Sequence, residues 1–194
     1  MKKLLLSFFV VASSSLGFAS TPLDLGLPSN FTPYDRYMAP VKQVLTHLDG
    51  EEASMDQVRE MMHIGRSFRY SFTDPYVAAL PSQTAAIQAG DCKAKALWLA
   101  DQLHDSNVRF VIGKARASSR ISHAWLMWQH DSRWWILDCT NKREPIPADR
   151  VSSREYIPFY SFAKDGTYRH HATQIYVADA VANHSNSPVA ANNK

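Results

Sequence analysis

Apolar positions fall at spacings of three and four in three stretches and follow shorter β-type runs afterwards, which predicts helices first and strands later. Val41, Val44, Leu45 and Leu48 share one face of a short helix over 40–48, closed by Gly50. A second helix runs from Met55 to Phe68 with Ser54 as its cap and Val58, Met61, Met62, Gly65 and Phe68 on its apolar face. Its methionines read as core filling. Residues 20–36, with Pro22, Pro28, Pro33 and Gly26, read as an extended arm, and 70–89, with Pro75 and Pro81, as a loop. The third helix, Asp91 to His104, places Ala94, Leu97, Trp98 and Leu103 inward and Lys93, Lys95, Asp101 and Gln102 outward, with Asp91 as N-cap and Cys92 at the first helical position.

Strands follow. Val108 to Ile112 is bounded by Gly113; Ile121 to Gln129 and Arg133 to Cys139 form a hairpin turning at His130-Asp131. With that turn His123 lies directly opposite Asp138, and the period of two puts both side chains on one face, with Cys139 on the other. A slip of one residue would separate them. Residues 140–154 read as a loop, Tyr156 to Ala163 and Thr167 to His171 as a hairpin around Lys164-Asp165-Gly166, and Thr173 to Ala178 as a last strand. The predicted domain spans 37–180, with a polar tail over 181–194. The chain holds no internal repeat.

The 194 residues suit one domain, and 45% hydrophobic with 20% charged is an ordinary globular composition. Lys2 and Lys3 before the apolar run Leu4 to Val11, then small residues up to Ala19, have the layout of a secretory signal peptide over 1–19. The expected location is therefore the bacterial periplasm or the exterior. Removing it leaves 19 Lys and Arg against 18 Asp and Glu. A nearly neutral chain has no footprint for nucleic acid or for an anionic membrane surface. Export would ordinarily pair the two cysteines. The strand parity points Cys139 away from the site that Cys92 shares with Asp138, so both are read as free thiols.

Cys92 opens a helix, where the positive end of the peptide dipole favours a thiolate. A thiol nucleophile needs a base, and the base needs an orienter. Cys92, His123 and Asp138 supply those roles in order. The Cys92 backbone N–H, unpaired at a helix start, is a natural oxyanion donor, with Gln83 or Gln88 as a second. No cofactor is required. His104, His130, His170 and His171 lack zinc-ligand spacing, so no metal site is expected.

Gly90-Asp91-Cys92 opening a helix, His123-Ala124-Trp125 on a strand and Trp135-Ile136-Leu137-Asp138 on the next resemble the transglutaminase-like superfamily, including its bacterial cysteine peptidases. The resemblance spans about 70–140. It implies an α+β, papain-like core with the cysteine helix packed on an antiparallel sheet, and Cys-His-Asp chemistry on an amide bond. Many of those bacterial peptidases follow the cysteine with acidic residues, whereas this chain has Lys93-Ala94-Lys95-Ala96.

Trp125 and Trp134 either wall an acyl-binding cleft or pack between sheet and helix. Lys114, Arg116 and Arg120 form a basic loop before His123, which reads as a solvated face or as a reader of carboxylate-bearing substrates. The expected partner is a peptide or protein substrate. The expected function is an exported cysteine peptidase or amidase working through a thioester. The alternatives are an acyltransferase of the cross-linking type with the same residues, or a silent binding module on the same fold.

Overall fold

The computed structural model describes residues 23–73 and 76–173. The predicted signal peptide, the first residues of the arm, the last strand beyond Thr173 and the tail lie outside the described residues. Four α-helices are present among them: α1 (Ala39–Thr46), α2 (Met55–Ser67), α3 (Pro81–Ile87) and α4 (Cys92–Leu103). The strands are β1 (Leu27–Pro28), β2 (Arg69–Tyr70), β3 (Ala89–Gly90), β4 (Val108–Arg116), β5 (His123–His130), β6 (Arg133–Leu137), β7 (Ile146–Pro147), β8 (Glu155–Ala163) and β9 (Gly166–Arg169). Seven of them form one antiparallel sheet in the order β1-β9-β8-β4-β5-β6-β7, and β2 pairs with β3 in parallel. No described helix is long and apolar enough to cross a membrane.

The helices cover one face of the sheet. Leu97 and Trp98 of α4 meet Phe110, Leu126, Trp128 and Leu137 in the main core, and Val41, Leu45, Val58 and Met62 close it from α1 and α2. The other face carries a smaller core of Val111, Trp125, Met127, Ile136 and Tyr156, covered by the 146–151 segment. Two cores on one sheet follow from the period of two along β4 and β5, where successive residues are apolar on both sides.

Several expectations change. The 70–89 loop contains α3, whose first residue is Pro81, a position where proline's missing N–H and preset φ assist a helix. α4 has no polar face at its start: Lys93 and Lys95 are both buried, because the helix is enclosed by its neighbours on every side. The β4 strand extends past Gly113 to Arg116, so Lys114 and Arg116 stand on a strand and only Arg120 on the following loop. In the 140–154 loop, β7 and a turn of 3-10 helix (Ala148–Arg150) form, and a second such turn (Asp35–Tyr37) ends the arm.

The hairpin register differs by two residues from the one read off the turn. Its two-residue loop is Asp131-Ser132, both with positive φ (49° and 59°), and His130 pairs with Arg133. His130 stays in the strand because its ring stacks on Trp128 and its Nδ1 lies 2.8 Å from Glu52. A shift of two restores every side chain to its face, so His123 and Asp138 remain on one side, set diagonally rather than directly opposite.

Candidate active site

Asp91 caps α4 as expected: its Oδ1 accepts the Ala94 N–H at 3.1 Å, and Cys92 is the first helical residue. A cap of this kind contributes about 1 kcal/mol. Just before it, Gly90 pairs with Tyr70, and a Cβ there would stand 2.9 Å from the Ala94 Cβ. Only glycine lets β3 turn so tightly onto the helix. Cys92 is half-buried and unpaired, and Cys139 is buried and unpaired. The Cys139 sulfur faces the Lys95 carbonyl at 3.6 Å, on the helix side of the sheet, and burial pushes its thiol up to about 12.

His123 opens β5 opposite Gly113 of β4. A side chain at 113 would collide with Ile157 and with the Trp125 ring, so this close approach also requires glycine. The His123 Nε2 lies 2.9 Å from Asp138 Oδ2, and the Cys92 thiol stands close enough to the imidazole to act on its protonation. Burial alone would lower the imidazole pKa. The hydrogen bonds and charges of Asp138 and Cys92 outweigh it and raise the value to about 9. Burial would likewise raise Asp138, but His123, Asn141 and Tyr156 hold it below the ordinary carboxylate range.

Two partners of Asp138 were not legible as site residues. The Asp138 Oδ1 accepts the Thr140 and Asn141 backbone N–H groups, and Asn141 Nδ2 donates to Oδ2 at 2.9 Å while lying 3.1 Å from His123 Nε2. The local signal for this was the Asp-Cys-Thr-Asn run, in which a carboxylate commonly accepts from the backbone two and three residues on. The Tyr156 hydroxyl donates to the same Oδ2 at 2.9 Å from a residue with φ +47° on β8, which no local pattern announces.

Beside His123 opens a cleft of about 650 Å³, lined among others by Tyr70, Arg116, Ile121, Asn141, Lys142 and Tyr156. Neither candidate tryptophan walls it. Trp125 is buried beneath His123, its ring stacked at 6.0 Å, and edge-on to Tyr156 at 5.4 Å. Trp134 lies toward the other end of the sheet, on a separate hollow of about 320 Å³ with Arg109, because it pairs with Gln129 near the turn. Gln83 is exposed and its Oε1 accepts the Leu80 N–H at the start of α3, while Gln88, also exposed, closes that helix with φ +46°. Among the described residues, metal-type donors converge at Glu52, His130 and Asp131, at the opposite end of β5 from His123.

The architecture is transglutaminase-like: an α+β, papain-like arrangement with a cysteine at a helix start against an antiparallel sheet. Legionella pneumophila LapG superposes with a TM-score of 0.51 at 18% identity, over 73% of this chain and 83% of that one. Its calcium-bound form aligns at 0.48 and 17% identity over 66% and 74%, and a cysteine-protease candidate from Cytophaga hutchinsonii at 0.40 and 18% over 59% and 40%. The likeness to LapG is one of fold. No protein-family model and no curated protein matches the chain.

Proposed function

We propose that the protein is an exported cysteine peptidase or amidase in which Cys92 is the nucleophile, His123 the general base and acid, and Asp138 the orienter. The observation that carries this reading is the single imidazole held 2.9 Å from buried Asp138, with the Cys92 thiol close enough to act on its charge, at the edge of an open cleft.

In this mechanism the Cys92 sulfur attacks the scissile carbonyl carbon, and the C=O pair moves onto oxygen. The Cys92 backbone N–H, unpaired within the helix, donates to that oxyanion. Gln83 and Gln88 are the candidates for the second donor; Gln83 Oε1 accepts the Leu80 N–H, which leaves its amide nitrogen free to donate. Protonated His123 then gives its proton to the leaving nitrogen as the C–N bond breaks, leaving a thioester. Water enters from the cleft, His123 takes its proton, and the C–S bond breaks to release the acid. Asp138 holds the imidazole orientation throughout. The cleft's opening to solvent favours water over an amine as acceptor.

Peptide probes bearing a thiol-reactive group test this by mass spectrometry. Wild type gains one adduct at Cys92, and Cys92→Ala and His123→Ala gain none. Of Gln83→Ala and Gln88→Ala, the one that removes the second oxyanion donor acylates about 10²-fold more slowly. A trapped acyl-enzyme released by added amine and not by water would convert the assignment to acyl transfer, and an unreactive wild-type Cys92 would sink it.

A further inference from the structure

The residue after Cys92 is a lysine that is only 2% exposed, beside an Asp91 that is 1% exposed. Its ammonium donates to Asp91 Oδ2, to the Thr73 carbonyl at 3.2 Å and to the Thr73 hydroxyl oxygen at 3.2 Å. Three N–H donors thus meet three oxygens, which satisfies the group completely. The Tyr76 and Phe72 rings lie 5.1 Å and 5.5 Å from the same nitrogen. Asp91 is equally committed: Oδ1 caps α4, and Oδ2 also accepts the Thr73 hydroxyl at 2.9 Å and its N–H at 3.3 Å. Lys95, two residues on, is also buried, but its ammonium donates to a backbone carbonyl, that of Phe68 at 3.0 Å.

Without the Lys93 charge, a buried carboxylate would stand unpaired one residue from the sulfur. Such a group is costly to keep ionised out of water and repels a developing thiolate. With it, the Asp91–Lys93 pair is neutral, and the dipole of α4 and the His123 cation act on the sulfur unopposed. The same ammonium ties the helix start to the 71–73 segment that flanks it.

We propose that Lys93 is a positioning residue for Cys92: a built-in cation that neutralises Asp91 and locks the start of α4 to Thr73. This rests on the reading of Cys92 as the nucleophile. Lys93 touches no reacting atom and acts through Asp91 and Cys92.

The test is the rate of Cys92 alkylation by iodoacetamide at about pH 7, read by peptide mass spectrometry, with protection of buried Cys139 as the internal monitor of folding. Lys93→Met is expected to slow Cys92 at least about 10-fold with Cys139 still protected. Adding Asp91→Asn, which keeps a capping oxygen but removes the charge, is expected to recover most of that loss. A double variant as slow as Lys93→Met overturns the proposal, as does Lys93→Met at the wild-type rate. If Lys93→Met exposes Cys139, the double variant, which buries no unpaired charge, decides: within about threefold of wild type supports the proposal, and a 10-fold loss overturns it. An inert Cys92 in the wild type would strike instead at the peptidase reading itself.

Discussion

β5 carries a histidine at each end, and the two are built from the same parts. His123 Nε2 lies 2.9 Å from Asp138, and His130 Nδ1 lies 2.8 Å from Glu52. Each ring stacks on the tryptophan two residues further into the strand, Trp125 at 6.0 Å and Trp128 at 4.5 Å. What differs is the environment of the carboxylate. The Asp138 side chain is 1% exposed and accepts from Thr140, Asn141 and Tyr156 as well, whereas that of Glu52 is 47% exposed. Water screens the second pair and leaves the first at nearly full strength. The second neighbour differs too: the Cys92 thiol for His123, and for His130 the solvent-exposed Asp131 carboxylate 3.5 Å from Nε2. A histidine–carboxylate contact is therefore common furniture, and burial plus a nucleophile makes one of the two a candidate for catalysis.

The sharpest break in that comparison is deletion of each imidazole. His123→Ala is expected to reduce peptide turnover by at least about 10³-fold, as loss of a general base does, while His130→Ala stays within about twofold. Equal losses in both would remove the distinction. Exchanging the carboxylates comes next. Asp138→Asn should cost about 10²-fold or more in kcat, and about 3 kcal/mol in denaturant unfolding because a buried charge pair is broken. Glu52→Gln should shift stability by under about 1 kcal/mol and leave turnover alone.

The smallest effect is the dependence of stability on pH. His123 has its pKa raised from 6.5 to about 9 on folding, so its contribution is fully present below about 6.5 and is lost as pH rises through about 9. Asp138 is held below 3.8, so its contribution is present above 3.8 and is lost as pH falls through the lower folded value. Unfolding midpoints should decline above about pH 7 in the wild type. His123→Gln should flatten that limb and His130→Gln should not.

Local chemistry was enough to find α2 with its Ser54 cap and α4 with its Asp91 cap, because a short polar side chain before an apolar period satisfies the first helical N–H groups. It missed α3, since Pro81 signals both a break and a helix start, and only packing against α4 selects the start. The burial of Lys93 was equally out of reach. Its charge marks it as exposed until Asp91 and Thr73, the latter 20 residues away in sequence, are seen to surround it.

By itself the sequence determined the place of Cys92 at a helix start and the shared face of His123 and Asp138. Both rest on short-range periodicity, and the face survived a register error of two residues because a strand repeats every two. Only the tertiary structure decided which tryptophan lies under the site, that Tyr156 holds Asp138, and that a lysine faces the Asp91 carboxylate. Those contacts bring together Asp138 with Tyr156 across 18 residues and Lys93 with Thr73 across 20, joining separate elements. Chain closure and burial set them, and neither has a local period to read.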